Sequence, residues 1–482
     1  MNGRSSGILL PVFSLPGAYG IGSMGAEARS FVDFLAASGQ HFWQILPLVP
    51  PGDGNSPYMS PSSCAGSPYL IDLDTLVEEG LLTPAEAASA RQENLDRVDY
   101  TALAEERLPL LKIAFERGKE KYLPHVAALR AEAPWLDEYA RFTALRAQLG
   151  VPPVDWPSPL PRPDETAVAF ELFLQAVFFR QWRALKAYAN GQGVSIIGDL
   201  PIYVSADSAE FWAHPELFQL DEKGQPSAVA GVPPDSFSAT GQHWGNPLYD
   251  WAGHRDAVFD WWVARMNWVS LLYDVVRIDH FRAFHTYWSI PAGDTVATGG
   301  HWEPGPGMAL IQRLQQEVPQ LALIAEDLGN LGPEALNFIR HSGLPGMKVL
   351  PYAFDPEGES AYLPHNCLPD SIVYTGTHDT PTFVQWLFDE ASPAERSFAC
   401  AYLRLRADEG FGWGAVCGAW SSAARLAIAP MQDLLGLGKD ARINAPGTIG
   451  PQNWSWRVRS AALNQDVAAH LREITRVYRR GG

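Results

Sequence analysis

At 482 residues, with 46% hydrophobic and 19% charged side chains, the chain can bury a large core and is not wholly disordered. Its formal charge of −18 excludes a surface built for nucleic acid or anionic lipid, whose phosphates need basic partners. The 17 Trp, 16 Tyr and 22 Phe supply flat apolar faces for a core and for a stacking cleft.

Cys64, Cys367, Cys400 and Cys417 stand far apart without CxxC spacing, as expected of free thiols in a reducing compartment. The apolar patch at 8–13 follows a single Arg and is interrupted by Pro11, so no signal peptide is read there. No stretch is long and apolar enough to span a bilayer. The expectation is a cytoplasmic protein without nucleic-acid or membrane partners. A monomer is favoured, with the oligomeric state left open.

Residues 7–13 form a short apolar run ahead of Gly20-Ile21-Gly22-Ser23-Met24-Gly25, a formal GxGxxG that opens a helix. A dinucleotide site also needs a carboxylate about twenty residues further on. The segment there, Phe42-Trp43-Gln44-Ile45-Leu46-Pro47, has none. The glycines are better read as serving a surface loop. Residues 41–48 are the next strand and run into a loop dense in turn formers at 50–58. Pro57 and Pro61 fix Tyr58 in a rigid setting that suits either a stacking platform or a packed surface turn.

Ala, Leu, Glu and Arg then dominate 84–130 and 133–149, a Pro-rich break spans 152–163, and helix resumes over 167–190. This reads as an inserted α-helical subdomain. The chain is accordingly divided into a barrel N-terminal part (1–82), the insertion (83–190) and the remaining barrel (191–482). Strands follow at 194–197, 275–278, 321–325, 347–350, 372–374 and 426–429, with helices at 257–272, 308–317, 333–340 and 393–403. Polar groups close successive strands: Asp199, Asp279, Glu326-Asp327, His378-Asp379 and Gln432-Asp433. The pattern predicts an α/β fold, a (β/α)8 TIM barrel with a large helical insertion and extended loops at the carboxyl-end mouth. The stretch 233–247 reads as a long loop, a lid near 231–247 or a static Ω-loop.

Alternation along the strand puts Arg277 and Asp279 on one face, where the guanidinium favours an ionised carboxylate. Alone, such a pair reads first as a structural ion pair. In a barrel, however, Asp279, Glu326 and Asp379 converge on one mouth. Paired carboxyls flanking a bond are the arrangement for glycosidic cleavage, and a spacing of about 5 Å gives retention. Asp279 suits the nucleophile. Glu326 follows an apolar run, and partial desolvation there suits an acid. Asp379 suits a hydroxyl acceptor. His280 and His378 beside two of these carboxylates keep a divalent metal open, although Arg277 would repel a cation.

The chain resembles the amylomaltases, the 4-α-glucanotransferases or disproportionating enzymes of the α-amylase clan, over nearly its whole length. The resemblance rests on ordered motifs that include Trp43-Gln44-Ile45-Leu46-Pro47-Leu48, Ser56-Pro57-Tyr58, Gly198-Asp199-Leu200-Pro201-Ile202, Gly231-Val232-Pro233-Pro234-Asp235 and Trp244-Gly245-Asn246-Pro247. Arg277-Ile278-Asp279-His280-Phe281-Arg282, Ala325-Glu326-Asp327-Leu328-Gly329, Gly376-Thr377-His378-Asp379 and Asn453-Trp454-Ser455-Trp456 complete it. It implies Asp279 as nucleophile, Glu326 as acid/base and Asp379 as transition-state stabiliser. It also implies sugar contacts from Tyr58, Asp235, Trp244, Asn246, Arg277 and His378, with Asp199 in the polar network beneath.

No cofactor or metal is implied, and the partners are α-1,4-glucans: maltooligosaccharides, amylose and glycogen. The expected reaction is retaining transfer of α-1,4-glucan segments to a 4-hydroxyl. The alternatives are an α-1,4-glucan hydrolase and a non-catalytic glucan-binding protein. Two departures from the family pattern, Ser236 after Pro-Pro-Asp and Thr380-Pro381-Thr382 after His-Asp, bear on product size rather than on the carboxylates.

Overall fold

Eight parallel strands close a barrel in chain order: β1 (Ser5–Leu9), β2 (Phe42–Gln44), β3 (Ser195–Leu200), β4 (Val275–Ile278), β5 (Ala322–Ala325), β6 (Gly346–Val349), β7 (Ser371–Tyr374) and β8 (Leu426–Pro430). The structure, a computed structural model, describes residues 3–234, 238–329 and 331–481. β1 starts two residues ahead of the apolar run at 7–13, and the other seven strands overlap segments that sequence pattern marks as strands, because burial on both faces favours an apolar run. Leu9, Phe42, Ile197, Val275, Ile324, Met347, Ile372, Tyr374 and Ile428 fill the barrel interior. The alternating set, including Ile8, Ile196, Val276, Leu323 and Val373, packs outward against helices.

The helical ring comprises α1 (Ala26–Ala37), α2 (Glu165–Gly191), α3 (Arg255–Leu272), α4 (Met308–Glu317), α5 (Pro333–Ser342), α6 (Pro393–Leu403), α7 (Phe411–Ser421) and α8 (Gln465–Val477). Between β6 and β7 the chain makes only short 3-10 turns, at Leu350–Tyr352 and Pro364–Asn366. Two further helices, Tyr100–Glu132 and Leu136–Leu149, pack on α2, which also touches α1 and α3. One helix therefore belongs to both the ring and the helical layer. The helix expected from residue 84 makes one capped turn, Pro84–Ala88, and resumes only at Tyr100. In between, Val98 donates to the Ser455 carbonyl at 2.7 Å and Arg97 pairs with Trp456, so tertiary pairing overrides local helix propensity.

The glycines of the formal GxGxxG serve packing. A Cβ at Gly22 would lie 2.0 Å from the Val12 carbonyl oxygen, and Ser23 donates to Asp72 at 2.8 Å.

A further departure from the sequence expectation lies in the segments after β3 and β4. Residues 242–247, read as part of a loop, form the strand Gln242–Pro247, antiparallel to Ala228–Val232. These two join Thr286–Pro291 and His301–Pro304 in a four-stranded sheet contributed by the segments after β3 and β4. Its strands are short and partly exposed, so they lack the apolar run that marks the barrel strands. Gly231 is required there, since a Cβ would sit 2.2 Å from the Gln242 carbonyl oxygen. No helix among the described residues is long and apolar enough to cross a membrane.

Candidate active site

β3 and β4 lie side by side with Asp199 directly opposite Arg277. Two facing interior positions therefore carry opposite charges above the apolar layer. Nη1 of the buried Arg277 lies 2.7 Å from both Asp199 carboxylate oxygens and 3.0 Å from Oδ1 of Asp279. Arg277 Nε faces the Met347 sulfur at 3.4 Å, so the side chain is held on every side. Arg277 keeps only 3% of its side chain exposed and Asp279 keeps 27%, so the carboxylate is the member of the pair that a ligand can reach.

Asp199 also accepts the Tyr58 hydroxyl at 3.0 Å. The short turn Pro57–Met59 is capped by Ser56, whose Oγ accepts the Tyr58 N–H at 3.2 Å. This presents the Tyr58 ring parallel to His378, with centroids 5.2 Å apart and planes 11° apart. Trp454 flanks both rings, at 5.6 Å and 6.0 Å. His378 Nε2 lies 3.1 Å from Asp379 Oδ2, and Asn444 donates to Asp379 Oδ1 at 2.7 Å. A continuous path of contacts thus runs Asp279–Arg277–Asp199–Tyr58–His378–Asp379.

Glu326 stands one residue beyond β5. Its Oε2 accepts the His280 N–H and its Oε1 the Leu328 N–H, each at 2.8 Å. The neighbouring Asp327 accepts the Met347 N–H at 2.6 Å. Gly346 permits that approach, because a Cβ there would lie 2.3 Å from the Asp327 carboxylate.

The carboxyls differ in charge preference. Burial pushes Glu326 up to about 7; Arg277 opposes the rise and the Asp279 charge adds to it. For Asp379 burial also acts upward, but the charge and hydrogen bond of His378, then the Asn444 amide, bring it down to about 2. Burial lowers His378, and the Asp379 charge more than offsets it, so the imidazole rises above its usual value. Two carboxyls at one mouth with protonation ranges this far apart can act as an acid and an anion at the same pH.

Of the residues singled out from sequence, Tyr58, Asp199, Arg277, Asp279, His378 and Asp379 lie on the one path, and Glu326 joins it beside Asp279. Trp244 stands edge-on to His280, with centroids 4.9 Å apart at 83°. Asn246 is buried and donates to the Val204 carbonyl at 2.8 Å, so its amide holds the segment after β3. Asp235 and the departure at Ser236 lie outside the described residues.

At the other departure, Thr380 Oγ1 accepts the Thr377 N–H at 2.8 Å and Thr382 caps the next turn. Both threonines thus shape the backbone below Asp379. Sequence reasoning missed Asn444, and with it Arg442, which donates to the Asp379 carbonyl at 3.0 Å. They are 65 and 63 residues away from Asp379 in the chain, and no local pattern signals them. Tyr352, after β6, is a further addition, its ring partly open to solvent and its hydroxyl turned into the site. Its hydroxyl is raised by burial and then by the Asp379 and Glu326 charges. Among the described residues, no three His, Cys, Asp or Glu side chains converge in a metal-holding group.

Aromatic faces beside carboxylates of unequal acidity, at the mouth of a closed (β/α)8 barrel, define a barrel enzyme of carbohydrate chemistry. A profile of the 4-alpha-glucanotransferase family matches residues 10–463. The chain is 46% identical to the 4-alpha-glucanotransferase of Thermus thermophilus, over 98% of each chain. It is 44% identical to that of Synechocystis sp., over 99% of this chain and 98% of the other. The structure of the amylomaltase from Streptococcus agalactiae, solved in complex with acarbose, superimposes with a TM-score of 0.95 at 38% identity, covering 99% of this chain and 100% of that one. The chain belongs to the 4-alpha-glucanotransferase family.

The buried pair yields a stability test. Arg277→Met strands the Asp199 charge and is expected to lower unfolding free energy by about 3–5 kcal/mol. Adding Asp199→Leu should recover part of that loss, because no buried charge then lacks a partner. Denaturant unfolding of the single and double variants measures the coupling. Losses that simply add would show that the pair is not one unit.

Proposed function

We propose that the chain transfers α-1,4-glucan segments by a retaining mechanism, with Asp279 as nucleophile, Glu326 as acid/base and Asp379 as stabiliser of the charge-deficient sugar. The observation that carries this reading is the contact path from Asp279 to Asp379, with a carboxyl poised near neutrality at Glu326 beside it. The family and the named relatives support transfer over simple hydrolysis.

In the first step Asp279 attacks the anomeric carbon while Glu326 gives its proton to the departing 4-oxygen. A β-linked glycosyl-enzyme results. In the second step Glu326, now a carboxylate, takes the proton of an incoming 4-hydroxyl. That oxygen attacks the same carbon, the bond to Asp279 breaks, and the α configuration is restored. Arg277, 3.0 Å from Asp279, carries a fixed positive charge that steadies the carboxylate each time it leaves. Asp379 accepts hydroxyls of the sugar at the reacting ring, and His378 and Asn444 keep it an anion.

Tyr58 and Trp244 offer ring faces to the glucan. Asp199, Asn246, Arg277 and His378 complete the sugar-binding set, largely from beneath the surface. Asp235 belongs to that set on sequence grounds. Donors and acceptors are maltooligosaccharides, amylose and glycogen. All four cysteines are free, which fits work in the reducing cytoplasm, and a monomer suffices for the site as drawn.

Incubation with maltotriose should release glucose together with oligomers longer than the substrate, read by chromatography. Equimolar glucose and maltose as sole products would sink the transfer reading. The pH profile supplies a second check. Glu326 must be protonated for the first step and its proton leaves at about 7, so kcat/KM should hold below that pH and fall tenfold per unit above it. A profile that stays flat to pH 9 would contradict Glu326 as the acid.

A further inference from the structure

The turn leaving β4 holds a residue that the reaction as written does not use for its side chain. His280 has φ 50° and ψ 44°, the left-handed region that disfavours residues with a Cβ. Two things follow from that geometry. The His280 N–H is turned onto Glu326 Oε2 at 2.8 Å, and the imidazole is turned against the edge of Trp244. The ring is not satisfied where it lies. Its Nε2 is covered and has no hydrogen-bond partner. Burial moves the imidazole down to about 4, so the group is neutral at ordinary working pH. A covered polar nitrogen without a partner is unfavourable, and proteins keep such atoms mainly where a ligand or water completes them.

The location indicates which ligand does so. His280 directly follows Asp279 and holds Glu326 by its backbone. Glu326 exchanges its proton with the oxygen on the far side of the scissile bond, the position of the leaving sugar and later of the acceptor. Trp244 packs against the imidazole, with ring centroids 4.9 Å apart, and the reading above gives it a sugar to stack. A sugar stacked on Trp244 presents its equatorial hydroxyls around the ring edge, where His280 stands.

We propose that His280 is a specificity-determining residue for the acceptor: its Nε2 exchanges a hydrogen bond with a hydroxyl of the acceptor sugar seated on Trp244, and so favours a sugar over water in the second step. This rests on the assignment of Asp279 and Glu326 given above. The chemical step is unchanged, since the acceptor proton still passes to Glu326 and the bond to Asp279 still breaks. His280 decides which hydroxyl-bearing molecule is in place.

Substitution can separate the side chain from the backbone. Gly and Asn are the residues that best adopt the left-handed region, so His280→Gly and His280→Asn retain the N–H donated to Glu326. Three quantities are compared: KM for glucose as acceptor, the ratio of transfer to hydrolysis, and the rate of fluoride release from α-maltosyl fluoride. The first burst of fluoride, read before the glycosyl-enzyme is discharged, needs neither an acid nor an acceptor. His280→Gly should raise the glucose KM about tenfold, the weight of one hydrogen bond, and shift products toward hydrolysis. Its loss in fluoride release should be several-fold smaller. His280→Asn, which restores a short polar group, should recover part of the acceptor KM.

A wild-type glucose KM and product ratio in His280→Gly would overturn the proposal. So would equal losses in the acceptor and fluoride measurements, which would mean that His280 acts through Asp279 or the fold. If His280→Gly does not fold, as judged by circular dichroism, the comparison is made with His280→Asn, for which an acceptor loss no larger than its fluoride loss overturns the proposal. Failure of the wild-type protein to release fluoride at all would instead contradict the glycosyl-enzyme reading itself.

Discussion

Arg277 is a guanidinium closed inside a barrel, and what surrounds it follows from the need to keep that charge paired. A buried cation without a partner costs several kcal/mol, so the two carboxylates on either side of it cannot be chosen freely. Asp199 meets it across the strand pair and Asp279 meets it from two residues along the same strand. The first is sealed and the second keeps part of its surface open. That asymmetry separates a structural anion from a reactive one. Tyr58 is tied to the sealed carboxylate, and through its ring to His378, so the positions of both ends of the site depend on one ion cluster.

Around this cluster the environment divides the carboxyls by task. Glu326 receives two backbone N–H groups, yet burial still carries it to about 7. Desolvation pushes Asp379 up as well, but a histidine and an asparagine side chain bring it to about 2. The difference lies in the partners: two backbone amides against an imidazole whose charged form Asp379 favours, reinforced by a side-chain amide. The segment that carries Asn444 and Trp454 is distant in sequence and enters the site only because the chain returns over the mouth after β8. The barrel supplies the carboxylates, and its long returning loops set what each one does.

The barrel was legible from the chain because strands buried on two faces leave uninterrupted apolar runs, as at Val275 and Val276 or Ile372 and Val373. The carboxylates were legible because each closes such a run. The second sheet was not. Gln242–Pro247 carries Gly and Pro beside His243 and Trp244, a composition that loops share, and only pairing with Ala228–Val232 makes it a strand. Asn444 was invisible for another reason: its role is a contact across 65 residues, which no local pattern encodes. In the sequence His280 stands beside Asp279 and suggests only a metal ligand. Its left-handed backbone, which turns its N–H onto Glu326, emerges only from the folded turn.

The central claim is that a covalent bond forms on Asp279. The Glu326→Gln variant, given α-maltosyl fluoride, can load the enzyme without an acid but lacks the base needed to unload it. Acid quenching, peptic digestion and mass spectrometry should then find one maltosyl unit on the peptide spanning 275–282, fragmenting to Asp279. Adduct on another carboxyl, or none while fluoride is being released, would contradict the account.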